Sequence, residues 1–242
     1  INLHLSNDML SVALDSSGAS LHQRGYKTVT NIAPINEVLA AGILHLSDWH
    51  GQRNFFDPMC GSGTLAIEAA LMACKIPHGI HRTSYSFMHW NSFDASLWEK
   101  IKESALNKVK EFPFTIYAQD KAPSAVRKTE ENAENAGLSE YIHVQRADFF
   151  KTLPPTASPL HMVFNPPYGE RLDIDEIPFY KEIGNTLKQH YSDSEAWLIS
   201  SNLEALKHLG LKPFKKIKLY NGKLEAKLQG YRLYNGSLKE TD

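Results

Sequence analysis

The chain has 242 residues, 42% of them hydrophobic and 22% charged, with a formal net charge of -1. This balance excludes a disordered or collagen-like chain, and the length allows one α/β domain to bury roughly 70–75% of its unfolded surface. No run of 18 uncharged apolar residues occurs, since the best candidate, residues 32–46, is broken by Glu37, so no membrane-spanning helix is expected.

The opening INLHLSND has no basic stretch followed by a long apolar run, which argues against a signal peptide. It lacks an initiator Met and reads straight into a strand, as expected of a piece of a longer chain. Residues 1–30 read as an N-terminal hairpin and linker, in which LHLSND and VALDSSG pair and Ser17-Gly18 forms a turn. A domain over 31–242 follows. From Asn36, the spacing of Leu39, Ile43 and Leu46 predicts a helix. RNFFD then reads as a buried strand, GSGT as a turn and TLAIEAALMAC as a helix. Residues 77–113 form an aromatic-rich insertion with a helix near 94–110. Its Tyr85, Phe87, Trp90, Phe93 and Trp98 suit either cover for a sheet edge or a flap facing substrate. His78, His81 and His89 match no tight zinc spacing and read as surface or packing residues.

From Phe114 strands and helices alternate: TIYAQ, a helix over 123–136 closed by Gly137, IHVQRA, HMVFN, a helix over 176–191, and AWLISS. This order implies right-handed parallel βαβ units. KIKLY and GYRLY, about the turn signal Asn221-Gly222, add an antiparallel edge. The two cysteines, Cys60 and Cys74, are separated by about 15 Å of predicted helix, too far for a disulfide, and reduced thiols suit the cytosol.

Charge is unevenly spread. Residues 205–232 hold eight basic residues (Lys207, Lys212, Lys215, Lys216, Lys218, Lys223, Lys227 and Arg232) against one acid, Glu225. Such a patch attracts nucleic acid, or else protects a strand edge from pairing.

Three motifs carry chemistry. In FFDPMCGSGT a strand ends in Asp57, and Gly61 and Gly63 let backbone N–H groups face a ligand before a helix starts at Thr64. A plain tight turn would use the same glycines. The third glycine of a dinucleotide fingerprint and the Gly-Lys-Ser/Thr of a P-loop are both missing, which disfavours phosphate; an acid ahead of the glycines suits an amino-bearing ligand. Asp120 and Asp148 end two further strands. Either could simply start a helix, yet three successive strands ending in Asp exceed what capping needs. Last, NPPYG follows strand HMVFN: Asn165 offers an amide oxygen, Pro166 and Pro167 fix the backbone, and Tyr168 offers a flat face. Two oxygens beside a ring hold a planar NH₂ group, and a Pro-Pro turn capped by Asn is the plainer reading.

With these motifs, the sequence resembles class I S-adenosylmethionine-dependent methyltransferases over nearly its whole length. DPMCGSGT, NPPYGERL and LHQRGYKTVTNIAPINEVLAAGIL resemble the catalytic domain of RlmL-type enzymes, the THUMP-associated 23S rRNA guanine-N2 methyltransferases. The resemblance implies a Rossmann-like, mostly parallel seven-stranded sheet with an antiparallel edge strand and helices on both faces. It implies S-adenosylmethionine as cofactor, with Asp57, Pro58, Cys60, Gly61, Ser62, Gly63 and Thr64 as its loop. Asp120 would take the ribose hydroxyls, Asp148 with Phe149 the adenine, and Ala33, Pro34 and Asn36 would pack under the methionine end. Asn165, Pro166, Pro167 and Tyr168 would receive the target base. RNA, with 23S rRNA as the expected substrate, is the implied partner, a THUMP domain is expected N-terminal in the full-length chain, and the cytoplasm is the implied location. An adenine-N6 methyltransferase on DNA or RNA, a tRNA guanine-N2 methyltransferase, a protein glutamine-N5 methyltransferase and a cofactor-binding module without activity are the alternatives.

Overall fold

The computed structural model describes residues 1–27, 35–167 and 175–235. Tyr168, Gly169, Ala33 and Pro34, to which the motifs gave roles, lie outside them.

Strands β1 (Asn2–Ser6) and β2 (Met9–Ala13) pair antiparallel about Asn7 and Asp8, both at positive φ. The hairpin therefore turns at Asn-Asp. Ser17-Gly18 forms a separate turn, with Asp15 Oδ1 accepting the Ser17 N–H at 2.8 Å.

The remaining strands build one seven-stranded sheet. They are β3 (Asn54–Asp57), β4 (Ile116–Asp120), β5 (Ile142–Arg146), β6 (Leu160–Phe164), β7 (Glu195–Ser200), β8 (Lys215–Asn221) and β9 (Leu224–Arg232), in the order β5-β4-β3-β6-β7-β9-β8. The first five are parallel, and β9 is reversed against both β7 and β8. The reversed strand thus lies one place in from the edge, because β8 and β9 enter as a hairpin. Its two-residue turn is Gly222-Lys223, one position later than the Asn-Gly signal suggested, with Gly222 at φ +63. Chain order reverses on either side of β3, so the carboxyl ends of β3, β4 and β6 border the crevice where doubly wound sheets bind ligands.

Helices cover both faces. On one lie α1 (Glu37–Leu46), α2 (Thr64–Ala73) and α4 (Pro123–Asn135); on the other, α5 (Glu176–His190) and a 3₁₀ turn at Ala205–Leu209. Alanines at 66, 69, 70 and 73 leave α2 thin enough to sink between α1 and the sheet, and Trp49 Nε1 donates to Ala69 O at 3.0 Å. His161 on β6 lies beside Trp49, with Nε2 3.1 Å from Ser47 Oγ; burial pushes it down to about 3, so it is neutral.

Glu68, fully buried on α2, anchors the segment that precedes α1. Its carboxylate accepts from Arg24 Nε at 3.3 Å and Tyr26 OH at 3.1 Å, and His78 Nδ1 lies 3.1 Å away. Buried charge is tolerated only when paired in this way. The 77–113 insertion grips the same region. The Arg82 guanidinium donates to the carbonyls of Ser17, Ala19 and Ser20 and stands 4.6 Å over the Tyr85 ring. Tyr85 and Phe87 pack edge-on against Trp98 of α3 (Ala95–Leu106), which has no buried residue. These aromatics pack against one another, and Arg82 ties the unit they form to the N-terminal segment.

Gly184 on α5 faces the backbone of the 3₁₀ turn so closely that a Cβ there would lie 1.7 Å from Leu209 O. Gly184→Ala is expected to cost about 1–3 kcal/mol, the scale of overpacking, and to lower Tm by several degrees. A thermal melt with unchanged Tm would show that the turn can give way.

Candidate active site

Strand β3 buries Phe55 and Phe56 and ends in Asp57, which the sheet carries to its carboxyl edge while 1% exposed. Next comes the loop 58–63. Cys60 N–H donates to Gln119 O on β4 at 2.9 Å, and Gly63 N–H to Cys60 O at 2.8 Å. Gly61 and Gly63 hold φ of +58 and +80, values that favour glycine.

Two buried residues of α4 fix this loop. Thr129 Oγ1 donates to Gly61 O at 3.2 Å, and Asn132 Nδ2 donates to Ser62 O at 2.9 Å. With its carbonyls turned toward α4, the loop leaves its other edge to the cavity. Gly63 has a packing reason as well: a Cβ there would lie 2.7 Å from the Thr129 methyl. The sequence pattern gave the glycines but not the α4 residues that aim them; their signal, polar side chains on the buried face of an amphipathic helix, was present at Thr129 and Asn132.

Asp120 ends β4 and accepts two backbone N–H groups, from Gly61 at 3.1 Å and Ala122 at 2.9 Å. One loop N–H therefore serves the neighbouring strand. Asp148, after β5, accepts from Phe150 N–H at 3.1 Å and has Lys151 Nζ 3.7 Å away. Phe149 is 3% exposed, packed at a tilt against Phe164 and Tyr191, whereas Phe150 is half-buried and meets Phe179 edge-on at 5.3 Å.

These groups surround a cavity of about 380 Å³. Of the sequence-assigned residues, Asp57, Pro58, Cys60, Gly61, Ser62, Thr64, Asp120, Asp148, Phe149, Asn165 and Pro167 line it. Gly63 sits against α4, and Pro166 is buried outside the lining. Asn36 caps α1, its Oδ1 accepting from Val38 N–H at 2.9 Å, and Ile35 beside it reaches the cavity instead. Sequence reasoning missed Ile35, Phe150 and Phe179, whose apolar surface gives no motif.

Burial pushes the Asp57 carboxyl up to about 8, with the Asp120 charge adding to it and the Met59 N–H opposing. Cys60 has its thiol raised too, chiefly by burial, so it is a packed neutral side chain.

The chain matches the model of the UPF0020 family, described as RMKL-like, methyltransferase domain, over residues 24–229. The chain belongs to this family. The RMKL-like domain is 37% identical to the ribosomal RNA large subunit methyltransferase K/L of Shewanella baltica, over 99% of this chain and 35% of the relative. It thus spans about a third of the length of the curated relatives it matches. Among solved structures, SMU.472, crystallised with S-adenosylhomocysteine, superposes with a TM-score of 0.86 at 30% identity, covering 98% of this chain and 62% of that one. A protein from Listeria monocytogenes, described as a predicted N6-adenine-specific DNA methylase, gives 0.79 at 32% identity, with 90% and 57% covered. The RMKL-like domain is a class I methyltransferase fold.

Two measurements check this geometry. Thr129→Val removes the donor to Gly61 O while keeping the bulk; S-adenosylhomocysteine binding is expected to weaken about 5- to 10-fold, the worth of one hydrogen bond, and Thr129→Ser to restore it. Unchanged calorimetric affinity in Thr129→Val would show that the loop aims itself. Asp57 has its folded pKa above the unfolded value of about 4. Its favourable contribution is therefore complete below about pH 4 and is lost as pH rises through about 8. Asp57→Asn should exceed wild type in Tm by a margin that grows between pH 5 and 8.5; a constant margin would contradict the buried, proton-holding carboxyl.

Proposed function

We propose that this chain is the catalytic domain of an RNA methyltransferase that transfers a methyl group to the exocyclic N2 amine of a guanine, with 23S rRNA as the substrate RNA. The observation that carries the reading is the convergence on one cavity of Asp57, Asp120 and Asp148 from three adjacent parallel strands with Asn165 and Pro167 from a fourth. The first three fit the cofactor: a carboxylate for its ammonium, one for its ribose hydroxyls and one for its adenine amine. The apolar side chains of Ile35, Phe150 and Phe179 suit the rest of a purine nucleoside. When bound, S-adenosylmethionine supplies an electrophilic methyl group.

The chain's own residues handle the acceptor. An aromatic amine is a weak nucleophile, because its lone pair is delocalised into the ring. The Asn165 side-chain oxygen and the Pro166 carbonyl accept its hydrogens, which favours a pyramidal nitrogen and orients it. Alignment of reacting atoms within about 3–3.5 Å supplies much of the barrier reduction. Tyr168, in this reading, replaces the stacking partner that the base loses when it leaves its helix.

The relatives' length supports a larger whole. Leu3, Leu5, Leu10 and Val12 share one face of the β1–β2 hairpin and are each at least 61% exposed. A THUMP-type RNA-binding domain preceding residues 1–30 would cover that face and deliver the RNA, with 31–242 as the methyltransferase domain and 77–113 inserted in it. An rRNA substrate places the enzyme in the cytoplasm. Among the described residues, no helix is long and apolar enough to cross a membrane. The Listeria neighbour's description favours adenine N6 as the second reading.

Asn165→Ala should leave the fold and S-adenosylhomocysteine affinity intact and slow single-turnover methyl transfer to large-subunit rRNA by roughly 10²–10³-fold, the scale for one preorganised group aimed at a transition state. Transfer at the wild-type rate would make the Asn-Pro-Pro turn a rigid loop and nothing more.

A further inference from the structure

The eight basic residues of 205–232 do not form one patch. Lys215 and Arg232 lie at the amino end of β7, away from the glycine loop: Arg232 is paired with Glu195 in the ladder. Lys215 Nζ donates to Leu46 O at 3.4 Å and stands 5.8 Å over the Trp197 ring, while Arg232 stacks 4.6 Å over Phe214. These cations are spent on local packing.

The other end of the hairpin is different. Strand β8 runs in the same direction as β3, β6 and β7, because β9 reverses between them. The Gly222-Lys223 turn therefore stands at the same end of the sheet as Asp57 and Asn165. The last β7–β9 pair is Ser200 with Lys227, so the hairpin runs on three residues further, about 10 Å at ~3.3 Å each. Laterally it is three strand spacings from β6, about 14 Å at ~4.8 Å each.

This tip carries Tyr220 at 58% and Leu224 at 57% exposure, with exposed Lys223 at the turn. Ile217 and Leu219 pack into the core shared with α1 and α2, so Lys218 and Tyr220 point to the opposite face of the sheet, the α5 side. Lys218 Nζ sits 5.4 Å over the Tyr220 ring and 2.7 Å from Glu225, which offsets the sole acid of the tip.

We propose that the tip of the β8–β9 hairpin is a substrate-RNA contact, Tyr220 stacking on an unpaired base and Lys223 meeting a phosphate a few nucleotides from the target. The proposal rests on the reading of RNA as substrate. Exposed aromatic and cationic side chains held on a rigid strand end are what single-stranded nucleic acid stacks on, and the site beside it needs a base already out of its helix.

The test is fluorescence anisotropy of a labelled single-stranded RNA with the full chain, beside calorimetry with S-adenosylhomocysteine and a thermal melt. Tyr220→Ala should weaken RNA binding roughly 10-fold and Tyr220→Phe leave it near wild type. Lys223→Ala should reduce the salt slope by about 0.7. Lys215→Ala should change neither, and all variants should keep cofactor affinity. RNA affinity and salt slope unchanged in both Tyr220→Ala and Lys223→Ala would overturn the proposal. A wild-type chain that binds RNA through this tip but methylates none would refute the substrate reading and leave the tip contact standing.

Discussion

The cofactor end of the molecule depends on where the backbone between Cys60 and Thr64 points. A turn of this tightness has more carbonyls and N–H groups than its own hydrogen bonds can satisfy, and each buried one left alone costs about 1–3 kcal/mol. Here the strand on one side and the helix on the other divide the work. Gln119 takes the Cys60 N–H, Asp120 takes that of Gly61, and Thr129 and Asn132 take the carbonyls of Gly61 and Ser62. Strand β4 and helix α4 are consecutive in the chain, so one βα unit holds the loop supplied by the preceding one. That is the structural meaning of the glycines: they allow a backbone path whose direction is set by residues some 60 to 70 positions away.

The same economy governs charge. Glu68 is buried, with Arg24 and His78 on two separate segments against its carboxylate. Asp57 is buried too, beside Asp120 and with the Met59 N–H as a backbone donor, so it holds its proton near neutrality. A carboxyl left in that condition is a poor stabiliser of the fold, and a ligand's positive charge brought beside it would draw it into its ionised form. The contrast between the two acids separates a structural charge from one set aside for a ligand.

Much of this was legible in the sequence. The alternation of apolar strands with helices gives the parallel sheet, and Asp57 and Asp120 at the ends of β3 and β4, with Asp148 two residues past β5, locate its ligand edge. Asn165 follows its strand directly, so the sheet fixes it as expected. Other features were not readable, each for a physical reason. Asn36 begins a helix, and a helix start needs a side-chain acceptor regardless of any ligand; capping took the residue that the motif had offered to the cofactor. Phe149 and Phe150 are indistinguishable in a string, and only packing against Tyr191 or Phe179 shows which ring is spent on the core. The lysines of 205–232 looked like one patch because sequence does not say which way a strand runs; the reversal of β9 parts them by the length of the sheet. The insertion at 77–113 serves the N-terminal segment through Arg82, a partnership between residues more than 60 apart that no local pattern announces.

The central claim is that this cavity methylates a guanine amine in RNA. The most direct measurement transfers a labelled methyl group from S-adenosylmethionine to large-subunit rRNA, digests the product to nucleosides and identifies the labelled one. The account predicts label in N2-methylguanosine. Label in N6-methyladenosine would contradict it by moving the target to another ring with the same amine clamp, and label in protein with none in RNA would remove RNA from the account altogether.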